Sequence, residues 1–125
     1  MLQRKRVLIV DPSPIFRRKL KETIQTNETL VDVIEADDIV QAETVLSNQL
    51  PDVVFIDMAI FDEAGRQFIQ SIKSLSAGVQ IVVLAGSDSA DFKERVLAMG
   101  VDHVLPKALA AGLRLIDVIH AVVRR

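Results

Sequence analysis

Three residues far apart in the chain have types and settings that could do chemistry together: Asp11, Asp57 and Lys107. Asp11 directly follows the apolar run Val7–Val10, and Asp57 directly follows Val53–Ile56. A further run, Val79–Leu84, leads into Ala85-Gly86-Ser87, and Val101–Leu105 leads into Pro106 and Lys107. If these runs are neighbouring strands, two carboxylates and one ammonium converge at one edge of a sheet. Such a pocket is acidic, carries its own counter-ion, and suits a divalent cation and phosphoryl chemistry. Each residue alone has an ordinary explanation: a strand-end Asp often caps a turn, and a lone Lys is usually a solvated charge. Asp57 resists that explanation because a carboxylate leaving so apolar a run is desolvated unless it is paired.

The elements that must position these residues are legible as alternating patterns. With Leu30–Ile34 there are five short apolar runs, and runs apolar at nearly every position suit strands covered on both faces of a parallel sheet. The run around Leu30–Ile34 alternates more and is expected nearer an edge. Between the runs lie helical stripes. Ser13-Pro14 reads as an N-cap with proline at the first helical position, followed by an apolar face of Ile15, Phe16, Leu20 and Ile24, with Arg17, Arg18, Lys21 and Glu22 outward. Asp37 or Asp38 caps a second helix carrying Val40, Ala42, Val45 and Leu46. Phe68, Ile69, Ile72 and Leu75 mark a third, and Phe92, Val96 and Met99 a fourth closed by Gly100. Leu113, Ile116, Ile119 and Val123 mark the last. The order is β-α five times over, which predicts one doubly wound α/β domain spanning residues 1–125. In such a sheet, ligands gather beyond the carboxyl ends of the strands.

Composition narrows the classes of function. The 125 residues suffice for one domain, and half of them are hydrophobic. A net charge of −2 with scattered basic residues argues against a direct nucleic-acid surface. No cysteine is present, so disulfides and thiolate metal sites are excluded. His103 and His120 have no metal-ligand spacing that would suggest zinc. No run approaches the ~20 apolar residues of a membrane helix, and Asp11 interrupts the first run too early for a secretory leader. A cytoplasmic location without membrane association is expected.

The segments VLIVDPSPIFRRKL, PDVVFIDMAIFDEAG, IVVLAGSDS and AMGVDHVLPKAL resemble the receiver domains of bacterial two-component systems, the CheY-like family, over nearly the whole chain. The resemblance implies a five-stranded parallel sheet in the order 2-1-3-4-5. It implies that Asp57 accepts a phosphoryl group from a histidine kinase or phosphotransfer protein, and that Lys107 pairs with that group. It further implies Mg²⁺ held by Asp11, Asp57 and the backbone carbonyl of Ala59, with the Gly86 N–H donating to the phosphoryl oxygens. A non-enzymatic signalling role follows, with a possible homodimer through the fourth helix, fifth strand and fifth helix. On that face Asp88, Lys93, Arg95, His103 and Asp117 are candidate polar contacts, although each alone reads more simply as solvated surface.

The chain also departs from the family pattern. Pro12 stands at the second acidic position, Ala85 where a Ser or Thr hydroxyl is usual, and Val104 where an aromatic side chain often switches rotamer. Ile60-Phe61 and Ala108 are milder changes. Two carboxylates still suffice for Mg²⁺, but a lost ionic ligand worth roughly 1.5–3 kcal/mol weakens binding about tenfold to a hundredfold. Asp62 or Glu63 could compensate, although capping the third helix is the simpler role for either. The alternative reading is therefore a pseudo-receiver, a docking or dimerisation module that works without phosphorylation. A flavin or phosphohydrolase role fits less well. DPSPIF has no phosphate-cradling glycine, and Pro12 fills the place of the nearest general acid or base.

Overall fold

A computed structural model describes residues 3–57, 63–86, 90–107 and 112–125. Five strands and five helices alternate: β1 (Lys5–Val10), α1 (Pro14–Asn27), β2 (Val31–Ala36), α2 (Ile39–Asn48), β3 (Val53–Asp57), α3 (Glu63–Leu75), β4 (Gln80–Ala85), α4 (Ala90–Leu97), β5 (His103–Pro106) and α5 (Leu113–Val123). The strands form one parallel sheet in the order β2-β1-β3-β4-β5, as the resemblance implied, and β2 lies at an edge.

The two-residue period of a strand divides each apolar run between two cores. Leu8, Val10, Val54, Ile56, Ile81 and Val83 face one layer, where α2, α3 and α4 supply Ala42, Phe68, Ile69, Ile72 and Val96. Val7, Ile9, Val53, Phe55, Val82 and Leu84 face the other, where α1 and α5 supply Leu20, Ile24, Leu115, Val118, Ile119 and Val122. Each fully buried side chain of this size contributes roughly 1.5–3 kcal/mol. The central strands are therefore held rigidly from both sides, and so are the residues at their ends.

Strand bounds follow hydrogen-bond partners rather than hydropathy. β1 begins at Lys5 because Lys5 pairs with Val31, and β5 begins at His103 because Val82 is its partner. The N-cap expectations hold. The Ser13 hydroxyl accepts from Phe16 N–H at 3.2 Å, and the Asp38 carboxylate accepts from Gln41 N–H at 2.9 Å. Gly100 follows α4 with φ +92°, a conformation that favours glycine.

Three apolar assignments are corrected. Ile15 is 70% and Val40 73% exposed. The inward faces run instead through Phe16, Leu20 and Ile24 in α1, and through Ile39 and Ala42 in α2. One residue is a 100° step around a helix, and that step carries Ile15 and Val40 out of the inward faces on which Phe16 and Ile39 lie. Leu75, the final residue of α3, is 66% exposed where the helix gives way to the turn into β4. In α5 the buried stripe is Leu115, Val118, Ile119, Val122 and Val123, while Ile116 is half-buried and the side chain of Leu113 lies outside the described ones. Ile119 and Val123 of the expected stripe are thus buried, and Leu115, Val118 and Val122 widen the buried face beyond it.

Candidate functional site

The carboxyl ends of β1 and β3 are adjacent, with Val10 registered against Ile56, so the next step along both strands brings Asp11 beside Asp57. The chain runs outward to β2 and then returns past β1 to β3, which places both acids at the topological switch point. Asp11 is completely buried and Asp57 nearly so. Lys107 follows β5 and reaches across to both: its Nζ lies 2.8 Å from Asp11 Oδ2 and 3.4 Å from Asp57 Oδ1. The three residues singled out in the sequence thus meet in one pocket.

Asp11 is held at each of its oxygens. Ser13 N–H donates to Oδ1 at 2.8 Å, Lys107 faces Oδ2, and the Arg17 guanidinium donates to the backbone carbonyl at 2.6 Å. Oδ2 accepts no well-aligned hydrogen bond among the described residues, so its charge is met mainly by the ammonium. Burial alone would lower the Lys107 pKa. The close contact of its ammonium with the Asp11 carboxylate and the charges of Asp11 and Asp57 outweigh that effect and raise it. The ammonium also lies over the Phe16 ring, 4.3 Å from its centroid.

Arg17 corrects the sequence reading, which faced it outward. Its side chain is only 11% exposed and bridges Glu35 at 3.1 Å and Asp37 at 2.8 Å, besides the Asp11 carbonyl. It ties the end of β1 to β2 and to the turn before α2. The missed signal was position: side chains in the first turn of a helix lean toward its amino end, here toward the carboxyl edge of the sheet. Neither Arg17 nor the contact of Phe16 with Lys107 shows in hydropathy alone.

The other assigned positions divide. Gly86 follows β4 directly, at the same edge of the sheet. Ala85 is buried and pairs with Pro106 of β5. Val104 is packed into the core beneath α2, α3 and α4. Pro12 is exposed beside Asp11, and Glu63 is the exposed first residue of α3. Ala59, Ile60, Phe61, Asp62, Ser87, Asp88 and Ala108 lie outside the described residues.

A divalent cation fits this chemistry. A buried carboxylate oxygen without a well-aligned hydrogen bond sits beside a second carboxylate, and hard cations take oxygen ligands of this kind. Among the described residues no three His, Cys, Asp or Glu side chains gather as a metal cluster, consistent with proline rather than an acid at position 12.

A model of the response regulator receiver domain matches residues 7–120. The chain belongs to that family. It is a receiver domain of the kind found in two-component response regulators. Over 102 residues it is 33% identical to the virulence transcriptional regulatory protein PhoP of Shigella flexneri, covering 82% of this chain and 45% of that protein. The transcriptional regulatory protein PhoP of Escherichia coli K12 is 32% identical over the same length and coverage. The chain therefore spans less than half the length of these curated relatives.

Solved structures agree on the fold. The signal receiver domain of a DNA-binding response regulator from Colwellia psychrerythraea 34H matches with a TM-score of 0.85 at 22% identity, covering 97% of this chain and 99% of that one. That of the putative response regulator NarL from Mycobacterium tuberculosis matches with 0.79 at 23% identity, covering 98% and 96%. Receiver domains interact with histidine kinases or phosphotransfer proteins, and they use Mg²⁺ held by acidic residues. Among the described residues, no helix of this one is long and apolar enough to cross a membrane.

Proposed function

We propose that Asp57 is the phosphoacceptor of this receiver domain. The carrying observation is its place: a nearly buried carboxylate at the end of β3, with an ammonium 3.4 Å away and a second buried acid beside it. An Asp57 carboxylate oxygen attacks the phosphorus of a phosphohistidine on the donor. The new P–O bond forms as the P–N bond breaks, and the departing imidazole takes up a proton. Asp57 then carries an acyl phosphate. Asp11 and Asp57, with the backbone carbonyl of Ala59, would hold Mg²⁺, which when bound would supply positive charge to offset the negative charge of the phosphoryl group. Lys107 turns from the acid pair to the phosphoryl group, and the Gly86 N–H adds a donor.

The domain acts as a signalling element and not as a turnover enzyme, in the cytoplasm, with a histidine kinase or phosphotransfer protein as donor. Ala85 and Val104 carry neither the hydroxyl nor the aromatic ring by which the family pattern couples the pocket to a distant surface. The signal instead travels through Lys107 and β5, and a homodimer through α4, β5 and α5 is the contact it would alter. Control of transcription by a longer protein bearing this domain is suggested by the names of the PhoP relatives.

The test is incubation with acetyl phosphate or beryllofluoride and Mg²⁺. A mass gain or spectral shift that D57N abolishes is expected. No response at millimolar Mg²⁺ overturns the reading in favour of a phosphorylation-independent docking module, for which D57A would leave partner binding or dimer strength unchanged.

A further inference from the structure

The pocket has a wall that the acids and the lysine do not account for. Phe16 presents its ring to the Lys107 ammonium at 4.3 Å from the centroid, and Asp11 and Asp57 take the same ammonium at 2.8 and 3.4 Å. The position of the ring is tied to the acid it helps to serve. Ser13 N–H fixes Asp11 Oδ1 at 2.8 Å, while the Ser13 hydroxyl caps the helix at Phe16 N–H, 3.2 Å away. Phe16 also packs against the core layer shared by α1 and α5. One short segment, from Asp11 to Phe16, therefore carries a carboxylate and an aromatic face that address the same cation.

We propose that Phe16 is a positioning residue for Lys107, its ring holding the ammonium over the Asp11–Asp57 pair as the internal cation of the resting pocket. The negative face of an aromatic ring attracts a cation most strongly where water is scarce, and an aliphatic side chain of similar size has no such attraction. A long lysine side chain otherwise loses entropy when fixed in one geometry, so a ring that limits its excursions keeps the ammonium within reach of Asp57. Held there, the ammonium competes with a divalent cation for the same two carboxylates. Loosening it should make the resting pocket a better metal site. This inference rests on the reading that makes Lys107 part of the phosphoryl pocket.

The test is a double-mutant cycle read by calorimetric titration with Mg²⁺ alone, or with Mn²⁺. F16L should tighten binding on the order of threefold to tenfold, and K107Q should tighten it at least as much. F16L added to K107Q should change nothing further, because Phe16 acts only through the ammonium. F16Y, which keeps the ring, should behave as wild type, and F16M repeats the test if F16L does not fold. Independently of metal, the Lys107 ε-methylene protons of the wild type should resonate upfield from the ring current, and F16L but not F16Y should raise the mobility of that side chain. An equal effect of F16L with and without Lys107, or an unshifted Lys107 signal, overturns the proposal. Acetyl phosphate labelling separates the two readings. An unlabelled wild type with the coupling intact defeats only the phosphoacceptor reading, and a labelled wild type without coupling defeats only the role of Phe16.

Discussion

Each end of the sheet holds a lysine among aspartates. At the amino ends of β4 and β5, Lys73 meets Asp102 at 3.2 Å, and both partners are occupied by backbone: Asp102 Oδ2 accepts Ile81 N–H at 2.8 Å, and Lys73 donates to the Val79 carbonyl at 2.8 Å. At the carboxyl ends, Lys107 meets two deeper acids, and Asp11 Oδ2 has no well-aligned hydrogen bond among the described residues. The same residue types thus do different work. Charges whose hydrogen-bonding capacity is used by strand ends join the sheet together, whereas two buried acids sharing one ammonium are poised for a further cation or an incoming phosphoryl group.

The largest effect that would separate the two ends is chemical. D57N should abolish phosphoryl incorporation measured by intact mass, while D102N should leave it near the wild-type level; loss in both would break the comparison. Next in size, P12D should restore a second acid at the exposed position beside Asp11 and tighten Mg²⁺ about tenfold to a hundredfold by calorimetry. No gain would mean that position 12 does not face the cation.

In urea unfolding the order of the two ends should reverse. D102A should cost about 1.5–3 kcal/mol, because it leaves the Ile81 N–H and Lys73 without their charged acceptor. D57N should cost less than about 1 kcal/mol or even stabilise, since it relieves one of two close carboxylates; functional sites often trade stability in this way. A larger loss for D57N than for D102A would show that the acidic pocket is a structural staple after all.

The smallest effect is a pH dependence. The pKa of Lys107 is raised above its ordinary 10.5 in the folded state, so its contribution is whole below that value and is lost as pH climbs through the higher folded value. Wild type should therefore lose stability above pH 10.5 more steeply than K107M, which lacks the group. Parallel curves would show that Lys107 is not held by the acids in solution.

The apolar runs made the five strands and their order along the chain readable, because a strand buried on both faces leaves an almost continuous signal. The ends of those runs marked Asp11, Asp57 and Lys107 as candidates. Helix faces were read less well. Ile15 and Val40 look apolar in sequence yet point to solvent, since one position of error is 100° of rotation, and Leu75 is exposed because α3 ends there. Arg17 looked like an outward charge, but a long side chain in the first turn reaches back over the sheet edge to the Asp11 carbonyl.

By itself, then, the sequence determined the alternating α/β architecture, the three charged residues at strand ends, and the absence of an acid at position 12 and a hydroxyl at position 85. These are properties of local pattern and residue type. Only the tertiary structure decided that one ammonium serves both Asp11 and Asp57, that Phe16 faces it, and that Arg17 ties the end of β1 to Glu35 and Asp37. Those contacts join residues up to 96 positions apart, the separation of Asp11 and Lys107. Strand register and side-chain reach set such distances, and neither is written in the order of the residues alone.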